Sequence, residues 1–142
     1  MSGKVAYKML DNGTMQAIEA RFEIAGETAS KANSRRAVVI AGRPSFIKSK
    51  KALDYVKTFK AQCPKLEHML EGDLKVEMMI YYGSRRPDLD ESLILDCMQD
   101  FIYANDRQVK QKFIYWGLDR DAPRAIIKVS PCDISNIPAY II

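Results

Sequence analysis

Acidic side chains are concentrated in residues 88–106, and their types and spacing suit metal-dependent hydrolysis. Asp88 and Asp90 follow a strongly alternating segment, so in extended backbone both carboxylates point to the same side. Asp96 lies in the helical pattern that comes next, and Asp106 lies in the turn before the following strand, which can return it to the same end of the sheet. Carboxylates brought together repel one another unless cations lie between them. Such oxygen ligands suit Mg²⁺ or Mn²⁺, which can activate water for attack on a phosphodiester.

Each of these acids also has an ordinary structural explanation. Asp90 can cap a helix that begins at Glu91. Asp100, four residues after Asp96 and therefore on the same helical face, can simply face solvent. Asp106 can be a turn residue. Spacing alone therefore leaves two interpretations open, a metal centre and a set of structural carboxylates.

Basic residues are concentrated in the rest of the chain. Residues 1–87 carry 16 Lys or Arg against 9 Asp or Glu, whereas residues 88–142 carry 6 against 9. A basic region beside an acidic cluster suits a protein that holds an anionic polymer and places metal ions on it. The alternative is a solvated basic surface with no partner.

Cysteine and histidine usage argues against other hydrolytic sites. Three widely spaced cysteines lie within apolar patterns, and His68 is the single histidine. This pattern indicates reduced thiols in a cytoplasmic protein, and argues against a zinc site or a histidine-based nuclease. We find no apolar run long enough to span a bilayer and no signal-peptide pattern at the start. The cysteines are Cys63, Cys97 and Cys132.

The hydrophobic pattern predicts one small α/β (α+β) domain, with a mixed β-sheet and two main helices. Residues 1–19 are weakly patterned and are predicted to be a flexible N-terminal arm, which leaves 20–142 as the domain. The first helix is expected to begin after a Ser49 cap and to bury Leu53, Val56, Phe59 and Cys63. The predicted strands are 20–25, 37–42, 74–82, 107–116 and 124–130, and the predicted helices are 49–62 and 91–103.

The acidic segment resembles the central motif of the RusA family of Holliday-junction resolvases. The residues that carry this resemblance are Asp88-Leu89-Asp90-Glu91, Leu95-Asp96-Cys97 and Asn105-Asp106-Arg107-Gln108-Val109. Upstream, three segments resemble the family's first strand, its basic loop, and its basic stretch with the following helix: Ile24-Ala25-Gly26, Ser30-Lys31-Ala32-Asn33-Ser34-Arg35, and Ile47-Lys48-Ser49 through Tyr55. The similarity covers residues 20–130 in preserved order.

The resemblance implies a homodimeric endonuclease that depends on Mg²⁺ or Mn²⁺ and resolves four-way DNA junctions by paired phosphodiester hydrolysis in recombination and repair. By motif position, Asp88, Asp90 and Asp106 correspond to the family's essential carboxylates and are the expected metal ligands. Asp96 is expected to be a supporting catalytic acid. Since such enzymes are common in phages, the expected location is the cytoplasm of the host.

Two departures from the family pattern bear on activity. Glu91 stands where the family usually has Asn, and Ser92-Leu93-Ile94-Leu95 lacks the Lys that usually lies near the scissile phosphate. Loss of that Lys removes a group that can stabilise phosphate charge, unless Lys31, Lys110 or Lys112 replaces it. The alternative function is therefore a non-catalytic or weakly active branched-DNA-binding protein of the same fold. A structural dimer module without a nucleic-acid partner is a third possibility.

Basic side chains are the candidate DNA contacts, which fix a protein on the backbone without reading sequence. Selectivity for a junction would then come from the geometry of two active sites in a dimer. Four aromatic residues can stack on opened bases or belong to ordinary packing: Phe46, Tyr81, Tyr82 and Phe101. The candidate DNA-binding residues are Lys31, Asn33, Arg35, Arg36, Arg43, Lys48, Lys50, Lys51, Arg85, Arg86, Lys110 and Lys112.

Overall fold

A computed structural model describes residues 3–30, 35–133, 135 and 137–142, with Arg35 described by its backbone alone. Seven strands and two main helices are present in the described ranges. The strands are β1 (Lys4–Met9), β2 (Met15–Ala25), β3 (Arg35–Ile40), β4 (Arg43–Lys48), β5 (Leu74–Tyr82), β6 (Val109–Leu118) and β7 (Arg124–Pro131). The helices are α1 (Lys50–Gln62) and α2 (Ser92–Met98), with short 3₁₀ turns at Asp106–Gln108 and Ala139–Ile141. In this part of the chain no helix has the length and apolar character needed to cross a membrane.

Five of the strands form one mixed sheet, in the order β1-β2-β7-β5-β6. β5 and β6 are parallel, and the other neighbours in this sheet are antiparallel. β3 and β4 form a separate antiparallel hairpin. The small single domain with a mixed sheet and two helices confirms the predicted fold class.

The core lies between one face of the sheet and the two helices. β5 alternates strictly, with Leu74, Val76, Met78, Ile80 and Tyr82 buried and the residues between them half-buried. This is the expected pattern for a central strand that has only one covered face. The helix residues that cover it are Ala52, Tyr55 and Phe59 from α1, and Leu93, Ile94, Cys97 and Met98 from α2.

The N-terminal residues depart from the predicted flexible arm. Residues 4–9 form β1, which pairs along β2, and β2 itself runs through residue 20 without a break. All six residues of β1 are exposed or half-buried. An edge strand of this kind carries no alternating hydrophobic signal, so its pairing could not be predicted from local pattern.

The helix α1 begins as predicted, with the Ser49 hydroxyl accepting the backbone N–H of Ala52 at 3.2 Å. Phe59 and Cys63 are buried as predicted, and Val56 packs against the core. Leu53 is 53% exposed, and Ala52 and Tyr55 are buried in its place. Packing on the sheet therefore selects the stripe of the helix that carries the two aromatic rings.

The helix α2 ends earlier than predicted, at Met98 rather than near residue 103. Asp100 has a φ of 69°, in the left-handed region, so the α-helix cannot continue through it. The prediction that Asp96 and Asp100 share a helical face is therefore wrong. The hairpin strand β4 was not predicted either: the predicted strand 37–42 ends where the structure has a tight turn at Ala41–Gly42, and β4 follows it.

Phe59 gives a test of this core. Its ring lies edge-on to Phe22, with centroids 6.3 Å apart, and its side chain is fully buried. Phe59→Ala should lower the free energy of unfolding by about 3–5 kcal/mol, since it leaves a large cavity. Leu53→Ala on the same helix should change it by less than about 0.5 kcal/mol, because that side chain is mostly in water. Chemical denaturation followed by circular dichroism measures both; equal losses would contradict the helix orientation.

Candidate functional site

The segment of residues 83–91, which carries Asp88 and Asp90, folds back from the end of β5 against β6. The Trp116 indole N–H donates to the Pro87 carbonyl oxygen at 3.3 Å. The same indole stacks on the Tyr82 ring, with centroids 6.0 Å apart. These two contacts fix the middle of the segment to the sheet, close to both acids.

Asp90 is held through its backbone and its side chain. Its N–H donates to the Tyr82 hydroxyl oxygen at 3.1 Å, and its Oδ1 accepts the N–H of Ser92 at 2.9 Å. The second bond satisfies a backbone donor in the first turn of α2, but Asp90 lies one residue before the N-cap Glu91, so the side-chain cap considered for Asp90 is replaced by a local turn. The carboxylate is also half-exposed, so it can take part in binding a cation as well.

Lys112 reaches the start of α2 from β6. Its Nζ lies 2.9 Å from Glu91 Oε2, in an ion pair whose carboxylate is largely buried. Among the lysines considered as replacements for the missing helix lysine, Lys112 therefore lies at the beginning of α2. Lys110 is exposed on the same strand, and Lys31 falls outside the described residues.

Three carboxylates converge on the Tyr82 hydroxyl. Burial raises the pKa of Tyr82, and the negative charges of Asp90, Glu27 and Glu91 raise it further. The hydrogen bond from the Asp90 N–H acts in the opposite direction and lowers this pKa. Sequence analysis did not select Glu27, which lies outside the matched acidic motif. Its Oε1 accepts the N–H of Gly83 at 2.7 Å, and its Oε2 lies 3.7 Å from Lys51 Nζ. Glu27 thus links the start of segment 83–91 to the start of α1.

A second acidic group lies around Tyr103. The Tyr103 hydroxyl donates to the Leu95 carbonyl oxygen at 2.7 Å. Burial raises the pKa of Tyr103, and the charges of Asp106 and Asp96 add to the effect. The Asp106 N–H donates to Gln99 Oε1 at 3.3 Å, which holds the 3₁₀ turn close to the end of α2.

The predicted ligands are therefore distributed along α2 rather than gathered at one end of the sheet. β5 and β6 are parallel, with Leu74 opposite Val109, so Asp106 lies near the start of β5, whereas segment 83–91 leaves from its end. The expectation that the turn would return Asp106 to the end from which Asp88 and Asp90 leave is wrong. The helix between the two groups has seven residues and is roughly 10 Å long.

Carboxylate chemistry suits a hard divalent cation, but the described part of one chain does not assemble three such ligands. Within the described ranges, no three His, Cys, Asp or Glu side chains are grouped so that they could hold a metal ion. Asp88 is exposed at the surface of its segment. Mg²⁺ usually takes one or two carboxylates, together with waters and substrate phosphate oxygens, so a closed protein cage is not required. The metal-ligand roles of Asp88, Asp90 and Asp106 stay predictions.

Exposed cations lie on the β3–β4 hairpin, at the start of α1 and within segment 83–91. Arg36, Arg43 and Lys48 are exposed on the hairpin, and Lys50 and Lys51 follow at the start of α1. Burial raises the pKa of Cys97 in α2 to about 11, and the positive charges of Lys60 and Lys48 oppose that rise. Arg85 and Arg86 are exposed within segment 83–91. Lys31, Asn33 and the Arg35 side chain fall outside what the structure describes.

The four aromatic candidates have different environments. Tyr82 is fully buried, and Phe101 is half-buried beneath the Lys65 ammonium group at 5.4 Å. Tyr81 lies beneath the Arg124 guanidinium group, 4.2 Å from the ring centre. Phe46 is 75% exposed. The structure therefore supports ordinary packing for Tyr82, and leaves Phe46 as the most accessible ring of the four.

Comparison with known proteins gives a family match over most of the chain. The family model described as endodeoxyribonuclease RusA matches residues 27–130. The matched range contains the hairpin, both helices and all four predicted acids. No curated protein matches the chain.

The contact between Tyr82 and Asp90 can be tested by removing one oxygen atom. Tyr82→Phe should lower the free energy of unfolding by about 1–3 kcal/mol, since the Asp90 N–H loses its partner in a partly buried position. The Asp90 amide hydrogen should exchange with solvent at least about fivefold faster, which corresponds to a decrease of about 1 kcal/mol in the free energy of local opening. Tyr81→Phe on the opposite face is the control, with unchanged exchange at Asp90. NMR exchange rates decide the question; equal rates in both variants would remove Tyr82 as an anchor.

Proposed function

The chain belongs to the RusA family of endodeoxyribonucleases, and we propose that it is a divalent-metal-dependent resolvase that cleaves four-way (Holliday) junctions. The observation that carries the proposal is the family match, which spans the acidic segment and the basic hairpin together. Half-buried and exposed carboxylates along α2, and the ion pair of Lys112 at the start of that helix, support it. We place the reaction in DNA recombination and repair, in the cytoplasm of a bacterial cell or of the host of a phage.

The residues divide into two roles in this proposal. Asp88 and Asp90, beside the start of α2, and Asp106, beyond its end, would each hold Mg²⁺ or Mn²⁺ together with phosphate oxygens of the DNA, and Asp96 would support them from α2. The bound ion would supply activation of water and stabilisation of the leaving oxygen. The Tyr82 hydroxyl and the N–H of Ser92 orient Asp90 for this purpose.

The cations would position the DNA. Arg36, Arg43 and Lys48 can contact phosphates from the hairpin, and Arg85 and Arg86 can do so beside the acids. Lys112 lies at the start of α2, where its charge can stabilise a phosphate once the Glu91 ion pair opens or is shared. Contacts of this kind do not depend on sequence, which suits an enzyme that recognises the shape of its substrate.

The proposal predicts a separation of binding from cleavage. Asp90→Asn should bind a synthetic four-way junction like the unmodified chain, and should cleave it at least about a hundredfold more slowly, because one anionic ligand of the cation is lost. Chelation of divalent ions with EDTA should abolish cleavage, and Mg²⁺ or Mn²⁺ should restore it. Mobility shift and denaturing gels measure the two quantities.

Asp100→Asn is the matched control for that change. Asp100 is exposed and has a positive φ, which Asn also tolerates. It should therefore cleave at the unmodified rate. Cleavage by Asp90→Asn near that rate would remove Asp90 from the site, and binding without cleavage at any metal concentration would favour the non-catalytic alternative.

We also propose that the enzyme acts as a homodimer, so that two sites can nick one junction symmetrically. The helix-free face of the sheet supports this proposal. Met79, Tyr115 and Ile126 are register neighbours on that face, and Tyr115 and Ile126 are 56% and 43% exposed. Large apolar side chains grouped on an open sheet indicate a surface that a partner covers.

Sedimentation equilibrium of the unmodified chain should give the mass of two chains. Tyr115→Glu should shift that mass toward one chain, because it places a charge on the proposed contact face. Tyr140→Glu, at a tail residue that is 88% exposed, should leave the mass unchanged. A monomer at all concentrations would contradict the dimer, and a dimer unaffected by Tyr115→Glu would exclude this face.

A further inference from the structure

The β3–β4 hairpin forms its own two-stranded sheet and does not join the five-stranded one. Its strands are joined by Ala41 and Gly42, with φ angles of 52° and 77°. Positive φ at both central residues is the geometry of the tight turn that suits the twist of a two-stranded ribbon. An isolated two-stranded hairpin is marginally stable in water, so contact with a partner would stabilise this one.

One face of this hairpin is apolar and exposed. The register places Ala37 opposite Phe46 and Val39 opposite Pro44, so these four side chains lie on the same face. Phe46 is 75% exposed and Val39 is 74% exposed, and both of their neighbours are exposed as well. Single exposed apolar residues are common, but a contiguous group on a projecting ribbon indicates a binding surface.

The charge around this face indicates the chemistry of its partner. Residues 36–53 contain five Lys or Arg and no Asp or Glu. Lys48 is exposed on the apolar face of the hairpin, and Arg36 and Arg43 are exposed on its opposite face. A partner suited to both features carries a dense negative charge and also presents flat apolar surfaces. DNA provides the charge through its phosphates and the flat surfaces through its unstacked bases.

We infer that the apolar face of the β3–β4 hairpin binds bases that are unstacked at the branch point of the junction, with Phe46 as the stacking ring. Val39 packs beside the same base, and the hairpin cations hold the phosphates on either side. The inference rests on the proposed function and specifies how the enzyme recognises a branch. β4 ends two residues before α1, whose Lys51 lies 3.7 Å from Glu27, and Glu27 accepts the N–H of Gly83, so the base of the hairpin is joined to the acidic segment.

The inference is tested with the full chain and a four-way junction that carries 2-aminopurine next to the branch point, in EDTA to prevent cleavage. Binding of the unmodified chain should raise the fluorescence, because the reporter base leaves its stack. Phe46→Ala should abolish most of this rise and weaken junction binding about tenfold, a typical loss for one base–aromatic contact. Its affinity for linear duplex should stay within about twofold, because the cations remain.

Three variants control for other effects of the substitution. Phe46→Trp keeps a stacking ring and should retain both the fluorescence rise and the affinity. Val39→Ser should reduce the rise in part, since it removes the neighbouring contact. Tyr140→Ala removes an equally exposed aromatic ring from the tail and should change neither quantity. Circular dichroism should show that all three retain the fold.

The outcomes separate this inference from the function on which it rests. If the unmodified chain binds junction no better than duplex, the junction assignment itself fails. If it prefers the junction and Phe46→Ala gives the same fluorescence and affinity, the assignment stands and the stacking role is overturned. The inference also fails if Phe46→Ala weakens duplex and junction equally, or if it halves the sedimenting mass, which would assign the face to a second copy of the chain.

Discussion

The anchoring of segment 83–91 to Tyr82 is the constraint on which the arrangement of the site depends. Tyr82 ends the central strand, is fully buried, stacks on Trp116, and accepts the Asp90 N–H through its hydroxyl. One side chain therefore belongs to the core and to the acidic segment at once. A packed interior keeps its side chains in fixed positions, so the position of Asp90 follows from the packing of the sheet. Burial and the charges of three carboxylates raise the pKa of the same hydroxyl.

The molecule has an acidic surface around α2 and a basic surface on the β3–β4 hairpin and at the start of α1. Carboxylates lie at both ends of the short helix α2, around Tyr82 and around Tyr103. Exposed cations lie on the β3–β4 hairpin and at the start of α1. Carboxylates held near one another repel less when cations lie between them, and basic side chains held near one another repel less beside an anionic partner. Glu27 joins the two surfaces, because it contacts both Gly83 and Lys51.

The features that were predicted from the sequence are those with strong local signals. β5 alternates because it is central and has one covered face, and α1 has a side-chain cap at Ser49. The features that were missed depend on contacts between distant residues. β1 is an exposed edge strand, α2 stops at a left-handed Asp100, and the placement of Asp106 follows from the parallel pairing of β5 with β6. Glu27 lies outside the acidic motif, so only the folded chain shows that it contacts Gly83 at the start of the acidic segment.

The most direct measurement is strand mapping of a four-way junction labelled on each of its four strands and incubated with the unmodified chain and Mg²⁺. A denaturing gel then shows which strands are cut and where. The account predicts nicks at symmetric positions in two strands of like polarity, and no comparable cleavage of a linear duplex of the same sequence. An intact junction in Mg²⁺ and in Mn²⁺, or equal cleavage of junction and duplex, would contradict it.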